Sequence, residues 1–584
     1  MIKIINNLQY SEISMHLMDI TSSLNFMLLF LWIIILLPES VYTQDMSKIM
    51  IDEKTGYFMD SRGYVKLFHG INSVPKYPPH YFPSLLNAST LRAFRDWGIN
   101  VIRLEFSWLA LKPSEQNTNY EYLQIVRKII DNAEENGIYV ILDFHQDGLS
   151  ERIGAIDSVP NWFMDKLPRP PKLFQYPWPL SIQPNNPLWF LTYFTYESAY
   201  TFGNIYKNVS GVWNDLGEFW RIAAENFGMK ANLLGYNLIN EPPPGNFYAN
   251  PFLLMPYNSG HQLLALYDYL IKIIREKDEN SLIFFDPITY AIYFPQVNGI
   301  SGTGMHRLPG SLEDESAAKK TVLSYHYYCW LLQSQQPEED VPSWKRFICD
   351  NVILPYVLNN VKNITKTTGG GRFLTEFGLC FPDDNPKSIN TVEFNAVLNA
   401  ADEHFESWTY WDDYNVFPRV TLYDTQLRSF SRAYPQSTAG QPIRLNFNVQ
   451  TSEFYYTFML THKCKSNQKL LLIAEIYVPL QTHYPAGMNV TFIPNELYYV
   501  MNKANTNLMS VYAPCTLIRN NNNNNDNNNN DNNNDNNNNS DLQVEISITP
   551  FHSSSSNENS GNIISYSTLI QILLIIKCLL LASI

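Results

Sequence analysis

One glutamate of this chain follows directly on an apolar segment, in the sequence Asn240-Glu241-Pro242. The segment, residues 233–239, has the continuous apolar character of a fully buried strand. A second glutamate, Glu376, ends a short strand predicted over residues 373–375. An isolated Asn-Glu-Pro sequence is also typical of a helix N-cap or a surface loop. Because ionised carboxylates avoid interiors unless they have a partner, two glutamates at two strand ends favour a functional pair of acids.

Strand-like segments alternate with helical segments over most of the chain, which predicts a parallel barrel. Helices are predicted over residues 89–97 and 120–136, and Gly137 follows the second as a C-cap glycine. The fold class we predict is α/β, a (β/α)8 TIM barrel whose functional groups lie at the carboxyl ends of its strands. The barrel strands are predicted at residues 64–69, 99–104, 138–144, 233–239, 282–285, 321–325, 373–375 and 407–411.

A domain of different character follows the barrel. Short segments with strand alternation, such as residues 444–449 and 470–478, predict a C-terminal antiparallel β-sandwich. We assign residues 45–425 to the catalytic barrel and residues 430–518 to the sandwich. Residues 519–540 are almost entirely asparagine with scattered aspartate. Such a segment has no apolar face to bury, so we predict a disordered spacer.

A long insertion, residues 149–230, lies between the third and fourth predicted strands. It is rich in aromatic side chains and prolines, and it is too aromatic for a disordered loop. One interpretation is an aromatic cover near the mouth of the site that grips a lipid tail or stacks on sugars. The other is a loop with a small core of its own.

Two glutamates on two strand ends predict glycoside hydrolysis, in which one acid protonates the leaving oxygen and the other attacks the sugar carbon. A separation of about 5 Å between them gives retention, and a wider gap admits a water and gives inversion. From about Gly63 to Tyr414 the chain resembles the family 5 retaining glycosidases, in which the acid/base follows an asparagine on strand four and the nucleophile ends strand seven. The resemblance implies that Glu241 is the general acid/base and Glu376 the nucleophile.

Roles for other polar residues are implied by the same resemblance. Asn240 would bond the 2-hydroxyl of the sugar. Arg103 would keep Glu376 ionised, with an ion pair to Glu105 as the alternative. The implied substrate-binding residues are Lys76, Arg103, His145, Asp147, Asn240, His326, Tyr328 and Trp411.

Two of these assignments have neighbouring alternatives. Tyr328 would donate to the nucleophile, but a shift of register would give that position to Tyr325 or Tyr327. Trp411 would form the platform under the sugar, with Trp408 as the residue that belongs to the core.

One subgroup, the endoglycoceramidases, fits best; its members cut between an oligosaccharide and ceramide. This resemblance rests on His69-Gly70-Ile71-Asn72 with Lys76, on Asp143-Phe144-His145-Gln146-Asp147 and on Gly235-Tyr236-Asn237-Leu238-Ile239-Asn240-Glu241. Glu475-Ile476-Tyr477-Val478-Pro479 in the sandwich adds to it. The run Pro242-Pro243-Pro244 departs from the pattern, because a non-proline residue is expected at its second position.

The function we predict is retaining hydrolysis of the bond between oligosaccharide and ceramide in glycosphingolipids. The alternatives are a glucosylceramidase or steryl-glucosidase, an endo-hydrolase of β-glucan or mannan, and a carbohydrate-binding protein on a decayed barrel. The formal net charge of −14 argues against a nucleic-acid partner. No cluster with metal-ligand spacing stands out, and we expect no metal or cofactor. We expect a monomer that binds a glycolipid substrate.

Both ends of the chain carry apolar segments. Residues 24–37 fit the core of a signal peptide spanning residues 1–43, with an uncleaved anchor as the alternative. Residues 541–584 have the layout of a lipid-anchor attachment signal, Asn559-Ser560-Gly561 followed by a spacer and an apolar tail, with a plain tail anchor as the alternative. We therefore predict the secretory pathway, with a secreted, GPI-anchored cell-surface or endolysosomal protein that associates with membranes peripherally or through the anchor.

Glycosylation and disulfides are consistent with that route. Asn-X-Ser/Thr sequons are present at Asn87, Asn208, Asn363 and Asn489. We predict the pairs Cys329–Cys349 and Cys464–Cys515, because each pair lies within one predicted domain. Cys380 is then outside both pairs.

Overall fold

The computed structural model describes residues 46–155, 159–180, 189–332, 338–378, 380–383, 385–411, 424–519 and 542–551. The predicted signal peptide, most of the asparagine-rich segment and the tail after residue 551 lie outside these ranges. Within them, no helix combines the length and the apolar character needed to cross a membrane.

The strands are numbered in chain order. They are β1 (Met50–Ile51), β2 (Phe58–Met59), β3 (Val65–Lys66), β4 (His69–Ser73), β5 (Val101–Glu105), β6 (Tyr139–Asp143), β7 (Leu233–Asn237), β8 (Leu282–Phe285), β9 (Thr321–Tyr327), β10 (Gly371–Gly378), β11 (Trp408–Trp411), β12 (Tyr434–Thr438), β13 (Gly440–Phe447), β14 (Phe454–Leu460), β15 (Leu470–Tyr477), β16 (Met488–Ile493), β17 (Tyr498–Met501), β18 (Leu508–Pro514) and β19 (Leu542–Pro550).

The α-helices are numbered in the same way. They are α1 (Ala88–Asp96), α2 (Trp108–Leu111), α3 (Tyr120–Glu135), α4 (Asn161–Asp165), α5 (Tyr196–Tyr206), α6 (Trp213–Phe227), α7 (Pro256–Arg275), α8 (Ser343–Ile348), α9 (Leu354–Thr368), α10 (Ile389–His404), α11 (Asp424–Phe430) and α12 (Leu480–His483). Residues 349–353 form a π-helical turn that joins α8 to α9.

Eight parallel strands, β4 to β11, close into a barrel in which β11 pairs with β4. The predicted TIM barrel is therefore confirmed. Both faces of a barrel strand are covered, which explains why these strands read as continuous apolar runs. The two predicted helices are present as α1 and α3.

The first barrel strand was predicted at residues 64–69, and this placement is wrong. The strand is β4, His69–Ser73, whereas β3 pairs with β2 and with β12 of the C-terminal domain. Tyr64 and Leu67 are apolar because they belong to the core of that domain. The segment thus has strand character for a reason unrelated to the barrel.

The insertion between β6 and β7 contains α4, α5 and α6. Trp162 and Phe163 pack on Trp108 of the barrel, with ring centroids 5.8 Å and 4.9 Å away. Phe174, Trp178 and Tyr196 lie 5.0–5.8 Å from one another, so this segment has an aromatic cluster of its own. The side chains of residues 181–190 lie outside the description.

The C-terminal domain contains two antiparallel sheets, ordered β1-β2-β3-β12-β15-β18-β17 and β13-β14-β19-β16. The disulfides Cys329–Cys349 and Cys464–Cys515 are both present, as predicted, and Cys380 is buried outside both.

One domain boundary needs correction. The sandwich was predicted to end at residue 518, with a tail from residue 541, but β19 (Leu542–Pro550) lies between β14 and β16. Its inward residues Val544, Ile546 and Ile548 are fully buried. Alternation of apolar and polar residues was visible in this segment, but the asparagine-rich stretch before it suggested that the domain had ended.

We predict that truncation after residue 541 destabilises the protein, because it removes an interior strand and exposes the residues that β19 covers. Loss of three buried aliphatic side chains at about 1.5–3 kcal/mol each should cost more than about 4 kcal/mol. The melting temperature and soluble yield measure the effect. Truncation after residue 551 is the matched control and should leave both unchanged; equal behaviour of the two truncations would contradict the assignment.

Candidate active site

The two proposed catalytic glutamates lie at the carboxyl end of the barrel. Glu241 follows β7 by four residues, and Glu376 is part of β10. The register of β10 against β9 shifts between Leu374 and Glu376, and this irregularity sets Glu376 beside His326. Two strand ends and one bulge therefore bring the three side chains together.

The distance between the two acids decides what they can do. One carboxylate oxygen of Glu241 lies within 4.8 Å of one of Glu376. His326 bridges them, with Nδ1 at 2.8 Å from Glu241 Oε1 and 3.2 Å from Glu376 Oε2. Retaining glycosidases have their carboxyl groups about 5–5.5 Å apart, and inverting enzymes about 6.5–9.5 Å. The spacing in this barrel is that of retention.

Arg103 organises the floor of the site. Its side chain is fully buried and donates to Glu376 Oε1 at 2.6 Å and to Asp143 Oδ1 at 2.9 Å. Further donations, at 2.9–3.0 Å, reach the side-chain oxygens of Asn72, Asn237 and Asn240. Burial opposes the charge of Arg103, but Asp143 and Glu376 outweigh it and raise the pKa of the guanidinium. Arg103 thus remains a permanent cation against the proposed nucleophile, as the resemblance implied.

Opposing influences act on the pKa of Glu376. Burial raises the pKa of Glu376 above the ordinary value of a glutamate, while the charges of His326 and Arg103 pull in the other direction and Glu241 adds to the rise. For His326, burial lowers the pKa, but Glu376, Glu241 and Asp286 outweigh it and raise the pKa. When His326 is protonated, its charge between the two acids favours the ionised form of Glu376.

Tyr328 is the tyrosine that reaches the nucleophile. Its hydroxyl donates to Glu376 Oε2 at 3.0 Å. Tyr325 and Tyr327, the alternatives by register, are buried in the core around the barrel. Burial and the neighbouring Glu376 raise the pKa of Tyr328, so its hydroxyl keeps the proton that it donates.

Three of the predicted sugar-binding residues form a second polar group, which consists of Lys76, His145 and Asp147. Lys76 forms an ion pair with Asp147 Oδ2, and His145 Nε2 lies 3.4 Å from the same oxygen. His145 Nδ1 is 2.9 Å from Asp143 Oδ2, so Asp143 links this group to Arg103. Burial lowers the pKa of His145, but Asp147 and Asp143 outweigh it and raise the pKa well above its usual range.

Trp411 lies over this polar group. Its ring stacks on His145 with centroids 5.0 Å apart and planes 12° from parallel, and Lys76 Nζ is 5.3 Å from its centroid. Trp408, the alternative, is fully buried in the core. A partly exposed aromatic ring fixed by cations is suited to stack on a sugar ring.

Asp286 is a site residue that the sequence reasoning missed. Its Oδ2 accepts from the backbone N–H of Glu241 at 3.1 Å and lies 3.6 Å from His326 Nε2, while its Oδ1 accepts from Asn237 at 2.9 Å. A signal was available, since Asp286 directly follows the apolar strand β8 at the carboxyl end of the barrel, where Glu241 also lies. No family motif drew attention to it.

Glu241 has an unusual backbone, with φ at +43° immediately before a proline. That conformation is rare for a residue with a side chain and is maintained only by its surroundings. The hydrogen bond to Asp286 holds the amide of Glu241. Beyond it, the carbonyl of the buried Pro243 accepts from the hydroxyl of Tyr206 on α5 at 2.7 Å. The proline run at residues 242–244, which departs from the family pattern, is therefore packed against the insertion.

Among the residues that the structure describes, Glu241, His326 and Glu376 have side-chain atoms close enough to hold a metal ion. The charges of Arg103 and His326 account for the proximity of the two acids. The expectation of a metal-independent reaction stays a prediction.

Residues 60–415 match the family model described as cellulase (glycosyl hydrolase family 5), and residues 432–516 match the glycoside hydrolase family 5 C-terminal domain. The chain belongs to glycosyl hydrolase family 5. It is a glycosidase, and its paired glutamates, Arg103 and Tyr328 are arranged for that chemistry.

Two relatives of this chain are described as endoglycoceramidases. The endoglycoceramidase of Cyanea nozakii is 29% identical over 484 residues, which are 77% of this chain and 88% of that protein. The endoglycoceramidase of Hydra vulgaris is 27% identical over 492 residues, covering 79% and 87%.

Solved structures share the fold. Endo-glycoceramidase II from Rhodococcus sp. aligns with a TM-score of 0.60 at 20% identity, covering 85% of this chain and 100% of that one. Sterylglucosidase 1 of Cryptococcus neoformans gives a TM-score of 0.60 at 14% identity, covering 86% and 97%. At these identities the structural likeness establishes the barrel and does not separate the two substrate classes.

We predict that Tyr328→Phe moves the acid limb of the kcat/KM profile to higher pH. Glu376 must be ionised to attack, and Tyr328 stabilises that form by donating to it, so its loss raises the pKa of Glu376 further. A hydrogen bond to a charged group, at about 1.5–3 kcal/mol, corresponds to a shift of about one to two pH units. Rates on a soluble aryl glycoside measure it.

Tyr356→Phe is the matched control, because the Tyr356 hydroxyl donates to the carbonyl of Tyr293 at the surface. Its profile should equal that of the unmodified protein. An acid limb that stays in place or moves to lower pH in Tyr328→Phe would mean that Tyr328 does not control the charge of Glu376.

Proposed function

We propose that this glycosidase hydrolyses the bond between oligosaccharide and ceramide in glycosphingolipids, with retention at the anomeric carbon. The observation that carries the reaction type is the pair of carboxylates within 4.8 Å, one bound to Arg103 and the other on the barrel rim. The substrate class is supported by the curated endoglycoceramidases that align over most of the chain.

In the first step an oxygen of Glu376 attacks the anomeric carbon, and the bond from that carbon to the ceramide oxygen breaks. Its electron pair stays on the departing oxygen, which takes the proton of Glu241. As Glu376 forms the new bond, its carboxylate loses negative charge, so its contacts with Arg103 and Tyr328 become weaker. His326, 2.8 Å from Glu241, stays close to the acid that has become negative.

The second step reverses these roles. Glu241 takes a proton from a water molecule, whose oxygen attacks the anomeric carbon on the face that ceramide has left. The bond between that carbon and Glu376 breaks, and the carboxylate returns to its contacts with Arg103 and Tyr328. Two inversions restore the original configuration.

The polar group of Lys76, His145 and Asp147 serves the sugar next to the scissile bond. Lys76 is a donor and Asp147 an acceptor, both held in place by their ion pair. The side-chain oxygen of Asn240 accepts from Arg103, and its amide nitrogen donates to the carbonyl of Gln146 at 3.2 Å and lies 3.4 Å from His145 Nε2. The same amide group is the proposed partner of the 2-hydroxyl. Trp411 supplies the apolar platform.

A ganglioside, glucosylceramide and a soluble β-glucan, each with and without detergent, test the substrate class. The proposal expects an intact oligosaccharide and ceramide from the ganglioside. Glucose release from glucosylceramide alone would replace it with a monoglycosyl-lipid hydrolase. Cleavage of the β-glucan alone would replace it with a polysaccharide hydrolase.

We predict that Glu376→Gln and Glu241→Gln each abolish turnover of glycolipid. Loss of a general acid costs about 10²–10⁴-fold where the leaving group needs a proton. Glu241→Gln should therefore still form the glycosyl-enzyme slowly from a substrate with an activated leaving group, which Glu376→Gln should not. Mass spectrometry after treatment with a 2-fluoro glycoside should find the label on Glu376, and a label on any other residue refutes the assignment.

A secretory location is a further part of the proposal, with a secreted, lipid-anchored or endolysosomal monomer. It is supported by the two disulfides, which are typical of oxidising compartments, and by the exposure of all four sequon asparagines. The apolar terminal segments of the sequence agree with it. Enzymatic removal of N-glycans should lower the mass of the protein purified from cells. An unchanged mass, in a protein expressed with the predicted signal peptide, would contradict this route.

A further inference from the structure

Three large aromatic side chains are exposed close together beside the catalytic strands. Trp330, Trp344 and Phe347 are 61%, 58% and 61% exposed. Trp344 and Phe347 are three residues apart on α8, so they share one face of that helix. Large exposed apolar side chains grouped on one part of a surface are typical of an interaction site. We name these three residues the aromatic patch.

The aromatic patch is covalently linked to the active site. Trp330 follows Cys329, whose disulfide to Cys349 closes α8 onto the end of β9 with Cα atoms 5.9 Å apart. Tyr328, the donor to Glu376, precedes the same cysteine, and two residues span at most about 7 Å. Lys345 Nζ adds a second link by donating to the carbonyl of Leu331 at 3.1 Å. The patch therefore has a fixed position at the rim of the site.

Charges of both signs surround the patch. Lys345 and Arg346 lie between its aromatic residues on α8, and Lys345 Nζ is 5.6 Å from the Trp344 ring. Glu338, Glu339 and Asp340 are exposed on the segment that precedes the helix. A strongly anionic membrane would repel these three acids. A zwitterionic surface offers phosphate to the cations and ammonium to the acids.

We propose that the aromatic patch docks the carboxyl face of the barrel on a zwitterionic phospholipid surface, which delivers membrane-embedded glycolipid to the site. The inference rests on the proposed function and names the partner of the same site. Tryptophan and phenylalanine are suited to the membrane interface, where an apolar ring meets polar headgroups. Because the disulfide fixes the patch beside Tyr328, docking brings the headgroup sugars to the level of the two glutamates.

Co-sedimentation of the full chain with phosphatidylcholine vesicles tests the docking, in a Glu376→Gln background that prevents turnover. The double variant Trp344→Ala/Phe347→Ala should lower the partition coefficient at least about tenfold. Met229→Ala is the matched control: Met229 is 94% exposed, but it lies between α6 and β7 at the opposite end of the barrel. All variants share the same termini, so a difference between them reports the patch.

Turnover without the Glu376 substitution supplies the second readout. The double variant should lose at least about tenfold in hydrolysis of ganglioside in phosphatidylcholine vesicles. Its kcat/KM on a soluble aryl glycoside should be unchanged, which also shows that the variant is folded.

Several outcomes would overturn the docking inference. They are unchanged partition of the double variant, an equal loss for Met229→Ala, an equal loss on the soluble glycoside, and binding only after phosphatidylserine is added. Failure of the proposed function looks different, because ganglioside would then resist cleavage even in detergent while the double variant still lost vesicle binding.

Discussion

The ion pair between Arg103 and Glu376 is the interaction on which this site depends. A guanidinium that is fully buried carries a large desolvation cost, which only several well-placed partners can offset. Here the partners come from β4, β6, β7 and β10 as well as from Asn240, so strands from both halves of the barrel meet at one cation. Removal of Arg103 would take from the buried carboxylates of Glu376 and Asp143 the guanidinium that they share. One side chain therefore bonds to residues of four strands and also supplies the positive charge beside Glu376.

Glu241, the proposed acid/base, is held in place in a different manner. Glu241 lies beyond the end of its strand with a left-handed backbone, and its amide is held by Asp286 while its carboxylate meets His326. Strain of this kind persists only where neighbours determine the conformation. Glu376, the proposed nucleophile, is fixed by charge pairing within a strand, whereas Glu241, the proposed acid/base, lies on a constrained turn at the mouth of the barrel. This difference suits the roles, because Glu241 must exchange protons with leaving group and water.

The sequence was sufficient to predict the candidate site residues at which a local strand pattern and a family motif coincide. Glu241 follows an apolar strand, Arg103 and Glu376 lie within strands of the barrel, and all three also stand in a family motif, so both signals agreed. Asp286 directly follows β8 without such a motif, and periodicity alone gave it no role. The strand at residues 64–69 was misplaced because Tyr64 and Leu67 belong to the core of the C-terminal domain. β19 was missed because its alternating pattern follows a long asparagine-rich segment and its partners, β14 and β16, are distant in the chain. These errors concern long-range partners, which a single sequence does not specify.

The C-terminal domain explains why the carboxyl face of the barrel stays available. Tyr434 donates to the carbonyl of Gly98 at 2.6 Å, and Tyr477 to that of Asp96 at 2.8 Å, both just before β5 begins. Gly98 has φ at +90°, and a side chain there would overlap the ring of Tyr477. Because β3 also joins the C-terminal sheet directly before β4, the domain is attached at the amino-terminal edge of the barrel. Attachment at one end leaves the other end, with its glutamates and aromatic rim, free to meet a surface.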